Sequence, residues 1–317
     1  MSYNRCMTRP RYIEIRCKSA VNRVQGMPFK WSLNPYRGCA HACHYCYARA
    51  SHTYYDMNAD EDFETNIFVK VNIAEALRRE LARPSWAGDS IALGTATDCY
   101  QPAEGRFRLT RAVLEVCLER GQPLSLVTKS TLILRDRDLL AELARRVPVR
   151  VFFTVTTVDP AVWKAIEPGT PPPLQRLRVM RQLREAGVHA GVLLAPILPG
   201  ITDSTASLDA VMAAAAEHGA AFLGSGALRL APLVKEHYLG FVGTSFPDLL
   251  PRYQRAYAGA HAPRDYLQRL EERVERLRAH YSFDDESQRR RTLALQGQAA
   301  DHRSHATDAR QLELPLG

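Results

Sequence analysis

Apolar and polar residues follow two periods along this chain, and the periods take turns. Short runs of β-branched and aliphatic residues read as buried strands, and stretches with apolar residues every three to four positions read as helices. The first strand is placed at residues 33–38. A helix is expected over residues 66–81, where Ile73, Leu77 and Leu81 fall at helical spacing. Residues 90–95 are the second strand, and residues 108–120 a helix stopped by Gly121. Residues 123–128 are the third strand, followed by a helix marked by Leu139, Leu140 and Leu143. Residues 149–156 are the fourth, followed by a helix marked by Val179, Met180 and Leu183. Residues 188–195 and 220–228 are the last two, separated by a stripe at Leu208, Val211, Met212 and Ala215.

Six strands alternating with helices predict parallel βα units joined by right-handed crossovers. The pattern suits an open doubly wound sheet or an incomplete (β/α) barrel, and both place their sites just beyond the strand ends. The polar residues cluster there. Residues 1–32 are basic and weakly patterned, an arm that braces the core or runs irregularly. Residues 33–230 form the core, and residues 231–283 a loop and helical extension. In that extension residues 232–247 read as loop and 249–257 as a helix. Leu267, Leu270, Val274, Leu277 and Tyr281 mark an amphipathic helix expected across an end of the sheet. Residues 284–317 are polar, carry Arg289, Arg290 and Arg291, and read as a disordered basic tail.

Composition adds bounds. With 317 residues, 46% hydrophobic, the chain can bury a large core. No apolar run has the length of a membrane span, and no apolar segment follows Met1 to Cys6, so the cytoplasm is the expected compartment. The net charge of +8 favours acidic partners, nucleic acid among them, unless the tail and ordinary solvated faces account for it. No aromatic–basic nucleic-acid module stands out in the sequence.

The concentrated chemistry lies at Cys39, Cys43 and Cys46, three of seven cysteines. An odd count in a long chain argues against a disulfide framework. Thiolates suit zinc or iron–sulfur centres. A structural zinc site needs four ligands, and His41, His44 or a distant cysteine could be the fourth. Three thiolates on a cubane instead leave one iron open. The position after the first strand, with no later CxxC pair, favours the open cluster over a non-catalytic zinc or iron–sulfur protein.

The CxxxCxxC order, with Tyr45 before the last cysteine, resembles the signature of radical S-adenosylmethionine (SAM) enzymes. The runs Asn34-Pro35-Tyr36-Arg37-Gly38-Cys39 and Thr97-Asp98-Cys99-Tyr100-Gln101-Pro102 resemble the spore photoproduct lyase-like branch, the DNA repair photolyase-like proteins. The resemblance covers roughly residues 30–230. It implies an α/β fold, a partial (β/α)6 TIM-like barrel of the radical SAM type with C-terminal helices. It also implies a [4Fe–4S] cluster on Cys39, Cys43 and Cys46 whose open iron binds the amino and carboxylate groups of SAM. One electron, from a reductant such as flavodoxin or ferredoxin, then breaks the C5′–S bond. The 5′-deoxyadenosyl radical takes hydrogen from a substrate, with a nucleic-acid lesion as the candidate.

By the same resemblance Tyr45 meets adenine through its backbone, unless it only packs the loop. Gly94 and Thr95 end the second strand, where the family runs its backbone along the methionyl amine, and a glycine allows close approach. Thr97 and Asp98 bind the amine or face substrate, unless Asp98 caps a turn. Lys129 suits the cofactor carboxylate, a substrate phosphate or a rim salt bridge. Thr156 shares a strand face with Thr154 and can reach the ribose. Arg176 suits a carboxylate contact or stands exposed on its helix. Pro196 shapes the adenine pocket or a rigid turn. Cys99 is the candidate hydrogen donor, by analogy with a separate cysteine of spore photoproduct lyase, although the Thr-Asp-Cys order departs from that enzyme. Its alternative is an inert buried thiol. Glu104 reads as an acid or as an orienting partner of Lys129.

Overall fold

The computed structural model describes residues 9–283. The expected tail with Arg289, Arg290 and Arg291, and Cys6 at the other end, lie outside the described residues. The chain opens with β1 (Arg11–Ile15), β2 (Val21–Arg23), β3 (Trp31–Leu33) and β4 (Tyr36–Arg37). The cysteine loop and a 3-10 segment, Tyr47–Tyr55, lead to α1 (Glu61–Thr65), β5 (Asn66–Lys70) and α2 (Ile73–Leu81). Then come β6 (Ile91–Leu93), α3 (Pro102–Phe107), α4 (Leu109–Arg120), β7 (Leu124–Thr128), α5 (Arg137–Arg146) and β8 (Val149–Thr154). The rest is α6 (Pro160–Ile166), α7 (Pro173–Glu185), β9 (His189–Ile197), α8 (Thr205–Glu217), β10 (Leu223–Ala227), α9 (Pro232–Ser245), α10 (Leu250–Ala256) and α11 (Arg264–Arg278).

The main sheet runs β10-β9-β8-β7-β6-β3-β2, with every pair parallel except β2 against β3. Six parallel strands with helices between them make the partial barrel. Alternation sets the faces. In β8, Val149, Val151 and Phe153 are buried while Arg150 and Phe152 are only half-buried. Helical stripes cover the sheet, as with Leu177, Met180 and Leu183 of α7 and Leu208, Val211 and Met212 of α8, all fully buried. Each such side chain contributes on the order of 1.5–3 kcal/mol. Asp159 starts α6 by accepting from Ala161 N and Val162 N at 2.8 and 3.0 Å, and Gly121 ends α4 in the left-handed region at φ +59°.

Three segments depart from the sequence pattern. Residues 66–70 are not helix but β5, the centre of a small sheet ordered β1-β5-β4. Ile67, Phe68 and Val69 are buried there, and helical spacing begins only after Asn72. The first strand is two strands, because Asn34 and Pro35 carry the chain from the main sheet at β3 to the small sheet at β4. The expected loop over 232–247 is largely α9, which starts on Pro232 and buries Val234, Tyr238, Phe241 and Val242 at helical spacing. The amphipathic helix α11, expected from its stripe, packs on α8 and joins the main core through Leu270, Val274 and Leu277.

The C-terminal helices matter for the site. Tyr238, Phe241 and Val242 of α9, Tyr253 of α10 and the following Tyr257 form one apolar cluster with Cys43 and Tyr45. The extension therefore packs on the cysteine loop itself.

Candidate active site

The cysteine loop starts where the chain leaves β4. Gly38 turns it at φ +81°, and a Cβ there would lie 2.8–2.9 Å from Asn66 O, Phe63 O and His52 Cε1. Cys39 N donates to Phe63 O at 2.9 Å. Gly38 O accepts from Thr97 Oγ1 (2.7 Å) and Gln101 Nε2 (2.8 Å), while Ala40 N donates to Gln101 Oε1 (3.1 Å). On the other side, His44 N donates to Ile166 O and Gly169 N to His41 O, both at 3.1 Å. A Cβ on Gly169 would collide with Ala40 O. Arg49 is fully buried and donates to Cys43 O (3.0 Å), Ala42 O (3.2 Å), Ala59 O, Asp60 O and Glu64. The loop is thus held through its backbone, by residues from four other parts of the chain.

Two buried carboxylates sit behind it. His41 Nδ1 lies 3.2 Å from Asp98 Oδ2, an ion-pair distance off the line of a hydrogen bond. Burial opposes the imidazolium, but Asp98 and Cys39 outweigh it and raise the His41 pKa to about 10. Burial likewise opposes ionisation of Asp98, and His41 outweighs it, holding the pKa at about 2. The second carboxylate, Glu167, accepts from Tyr45 Oη, from Thr156 Oγ1 at 2.9 Å and from Arg176 at 2.5 Å. Its burial is outweighed by Arg176 and then Lys129, which hold its pKa at about 2. Lys129 lies 5.6 Å over the Tyr45 ring. Burial works against its ammonium, but Cys43 and Glu167 raise its pKa above the ordinary value.

Among the described residues no three His, Cys, Asp or Glu side chains form a group able to hold a metal ion as they stand. The donor set nevertheless has the chemistry of an iron–sulfur ligand set: three thiols on one loop, whose backbone anchors leave the side chains out of the task of holding it. Burial pushes the Cys43 and Cys46 thiols up, while His41 overcomes burial at Cys39 and draws it down. The two histidines considered as a fourth ligand are engaged elsewhere. His41 meets Asp98, and His44 stacks 4.1 Å from Phe241 with Nδ1 3.2 Å from His237 Nε2.

The model of the radical SAM superfamily matches residues 33–209. The chain belongs to the radical SAM superfamily. An uncharacterized protein of Mycobacterium tuberculosis is 42% identical over 272 residues, covering 84% of this chain and 80% of its own. An uncharacterized protein of Methanocaldococcus jannaschii is 30% identical over 191 residues, covering 60% of this chain and 69% of its own. Spore photoproduct lyase complexed with dinucleoside spore photoproduct superposes with a TM-score of 0.65 over 85% of this chain and 79% of that one, at 16% identity. A mutant of that lyase with bound AdoMet and dinucleoside spore photoproduct gives 0.64 over 85% and 78%, at 18% identity. At such identities the likeness is one of fold, and it matches the branch suggested by the cysteine-loop motif.

In this radical SAM barrel many of the sequence-derived residues are tied to the protein itself. Thr97, Asp98, Thr156 and Arg176 are engaged by the protein. Asp98 also accepts from Tyr100 N (2.9 Å), Thr128 Oγ1 (2.8 Å) and Lys129 N (2.7 Å). Arg176, fully buried, donates to Pro171 O, Thr154 O and Thr170 Oγ1 as well as Glu167, so the carboxylate it meets is the chain's own. Tyr45 turns its phenol inward to Glu167. The close approach at Gly94 is to Val127 O, 2.6 Å from where a Cβ would stand. Thr95 O accepts from Tyr47 Oη. Pro196 lies in β9, and Lys129 is half-buried just past β7. Cys99 is fully buried in the main core, and burial lifts its thiol well above the ordinary range. Glu104 does not orient Lys129. It is fully buried and takes Tyr36 Oη, Thr110 N and Arg135.

Sequence reasoning missed Arg49, Gln101, Glu167 and Gly169. Gln101 stands in the Thr97–Pro102 run but takes no role in that reading, the other three sit in no recognisable spacing, and each acts through atoms brought near only by the fold. Among the described residues no helix is long and apolar enough to cross a membrane.

Proposed function

We propose that this chain is a radical SAM enzyme that cleaves SAM reductively and uses the resulting carbon radical to take hydrogen from its substrate. The observation that carries this is the cysteine loop: three thiols past the first barrel strand, fixed by backbone contacts on several sides. Cys39, Cys43 and Cys46 would hold a [4Fe–4S] cluster. When bound, the cluster and SAM supply one-electron cleavage of the C5′–S bond and the 5′-deoxyadenosyl radical. The protein's own part is to orient and to exclude water. Arg49 and Gln101 fix the loop carbonyls and amide, while Tyr45 and Glu167 fix its far end. Lys129, carrying its positive charge near Cys43, is the group suited to a carboxylate of the cofactor. In this reading Gly94, Thr95 and Pro196 belong to the SAM site, and Cys99 takes the donor role.

A nucleic-acid lesion is the substrate class this reading favours. Its support is the fold shared with a lyase whose solved complex holds a dinucleoside photoproduct, together with the net charge of +8. The electron would come from a flavodoxin- or ferredoxin-type reductant in the cytoplasm. The test is anaerobic reconstitution with iron and sulfide, reduction with dithionite, and quantitation of 5′-deoxyadenosine. A brown protein with about four irons per chain that releases 5′-deoxyadenosine is the expected result. A colourless protein with stoichiometric zinc, or an intact cluster that never cleaves SAM, refutes it.

A further inference from the structure

One face of the small sheet carries two cations that have no counter-ion among the described residues. In the pairing of β4 with β5, Arg37 stands opposite Phe68, and Lys70 lies two residues further along the same strand. The twofold alternation of a strand puts Arg37, Phe68 and Lys70 on one face and Tyr36, Ile67 and Val69 on the other. Tyr55, from the 3-10 segment, stacks on Phe68 at 4.8 Å, and the Arg37 guanidinium lies 4.5 Å over the Tyr55 ring. Lys70 is only 8% exposed. Among the described residues no carboxylate pairs with either side chain.

That is an expensive arrangement. A buried ammonium is normally paired, because desolvation penalises the charge. Here burial and then the Arg37 charge both lower the Lys70 pKa, and the Cys17 thiol is the opposing influence. Burial lowers Arg37 as well. Two neighbouring cations that repel one another and lack an anion are stabilised by an anion that bridges them. Arg presents a flat fork of donors and Lys a point charge, the pair suited to a tetrahedral oxyanion. Tyr54, the residue before Tyr55 in the chain, is 82% exposed, an aromatic surface on which a base can stack.

We propose that Arg37 and Lys70 form an oxyanion site that takes a phosphate group, supplied by a nucleotide or by a polynucleotide backbone. The site lies on the small sheet, not on the cysteine loop, and does not depend on radical chemistry, so either reading can fail without the other.

The test uses the full-length chain as isolated, with three probes: inorganic phosphate, a 5′-mononucleotide, and a fluorescein-labelled single-stranded oligonucleotide. Polyglutamate is the anionic control. Phosphate should raise the melting temperature above that in chloride of equal ionic strength. Arg37→Gln and Lys70→Met should each weaken binding on the order of tenfold and lower the salt slope of oligonucleotide binding by about 1. Lys70→Met should melt higher than the parent without ligand, which separates lost binding from lost folding. Arg37→Lys should restore part of the affinity. Oligonucleotide binding tighter than phosphate by more than tenfold assigns the site to a polynucleotide, and equal binding assigns it to a small phosphate. The proposal is overturned if none of the three probes binds, if both charge-removing variants bind like the parent, or if polyglutamate competes as well as the phosphate probes.

Discussion

Arg176→Met removes the guanidinium that meets Glu167 inside the protein. The two side chains are 0% and 1% exposed, with N to O at 2.5 Å. The Glu167 pKa lies at about 2 against 4.5 for the free group, although burial alone would raise it. That gap of about 2.5 pH units, at about 1.4 kcal/mol each, corresponds to roughly 3–4 kcal/mol of differential stabilisation. Arg176 is the largest of the opposing influences, followed by Lys129 and the Tyr45 hydrogen bond. The same substitution strips donors from Pro171 O, Thr154 O and Thr170 Oγ1. Stranding a buried charge in this way costs about 3–5 kcal/mol. In Glu167→Gln/Arg176→Met neither member of the pair is left charged without the other, so the double variant should lose less than the sum of the singles by more than about 1 kcal/mol. The assay is urea unfolding of the metal-free chain at pH 7, followed by far-UV circular dichroism. A cost below about 1 kcal/mol for Arg176→Met, or strict additivity in the cycle, would refute the reasoning.

Acid should act on the same pair of carboxylates. Glu167 and Asp98 both have folded pKa values of about 2, below their unfolded values of 4.5 and 3.8. Their contribution is therefore complete above about pH 5 and lost as pH falls toward 2. The melting temperature of the metal-free chain should drop most steeply in that window and less so in Glu167→Gln, and a flat profile would contradict this. Gly169→Ala drives a methyl into Ala40 O, so the cysteine loop must shift. Iron per chain after reconstitution should fall well below the parent's, and an unchanged iron content would show that the loop tolerates displacement. Cys39→Ala, Cys43→Ala and Cys46→Ala should each abolish the normal cluster absorbance, whereas Cys99→Ala should keep it and lose about 1 kcal/mol of stability from a small core cavity. If Cys99→Ala leaves product formation intact, the donor role is wrong.

The strands of the barrel were legible because each is a short apolar run between helical stripes. Val149, Val151 and Phe153 announce β8 whatever surrounds them. β5 was not legible, since its five residues run almost directly into α2 and share the apolar content of a helix start. α9 was hidden by Pro232, Gly240, Gly243 and Pro247, which read as loop, although its buried residues have helical spacing. The three thiols of the site could be read from spacing alone. Glu167, Gln101 and Arg49 could not, because a carboxylate or guanidinium becomes a loop anchor only when the fold brings it to a particular carbonyl or hydroxyl.

The polar residues past the strand ends therefore do two jobs that sequence position does not separate. Thr97 and Asp98 follow β6 and Thr156 follows β8, where a cofactor contact is expected, yet their polar atoms bind the cysteine loop and its neighbours. Arg176 secures Glu167, and Glu167 secures Tyr45. These anchors reach the loop from two crossover connections, the one after β6 and the one after β8, so the loop is fixed only when those strands stand in register. The Cys39–Cys46 geometry is thus a property of the whole barrel. A substitution at Gly169 or Arg49, with no thiol in it, can change the loop as surely as one at a cysteine, whereas exposed positions on the outer helices should leave it alone.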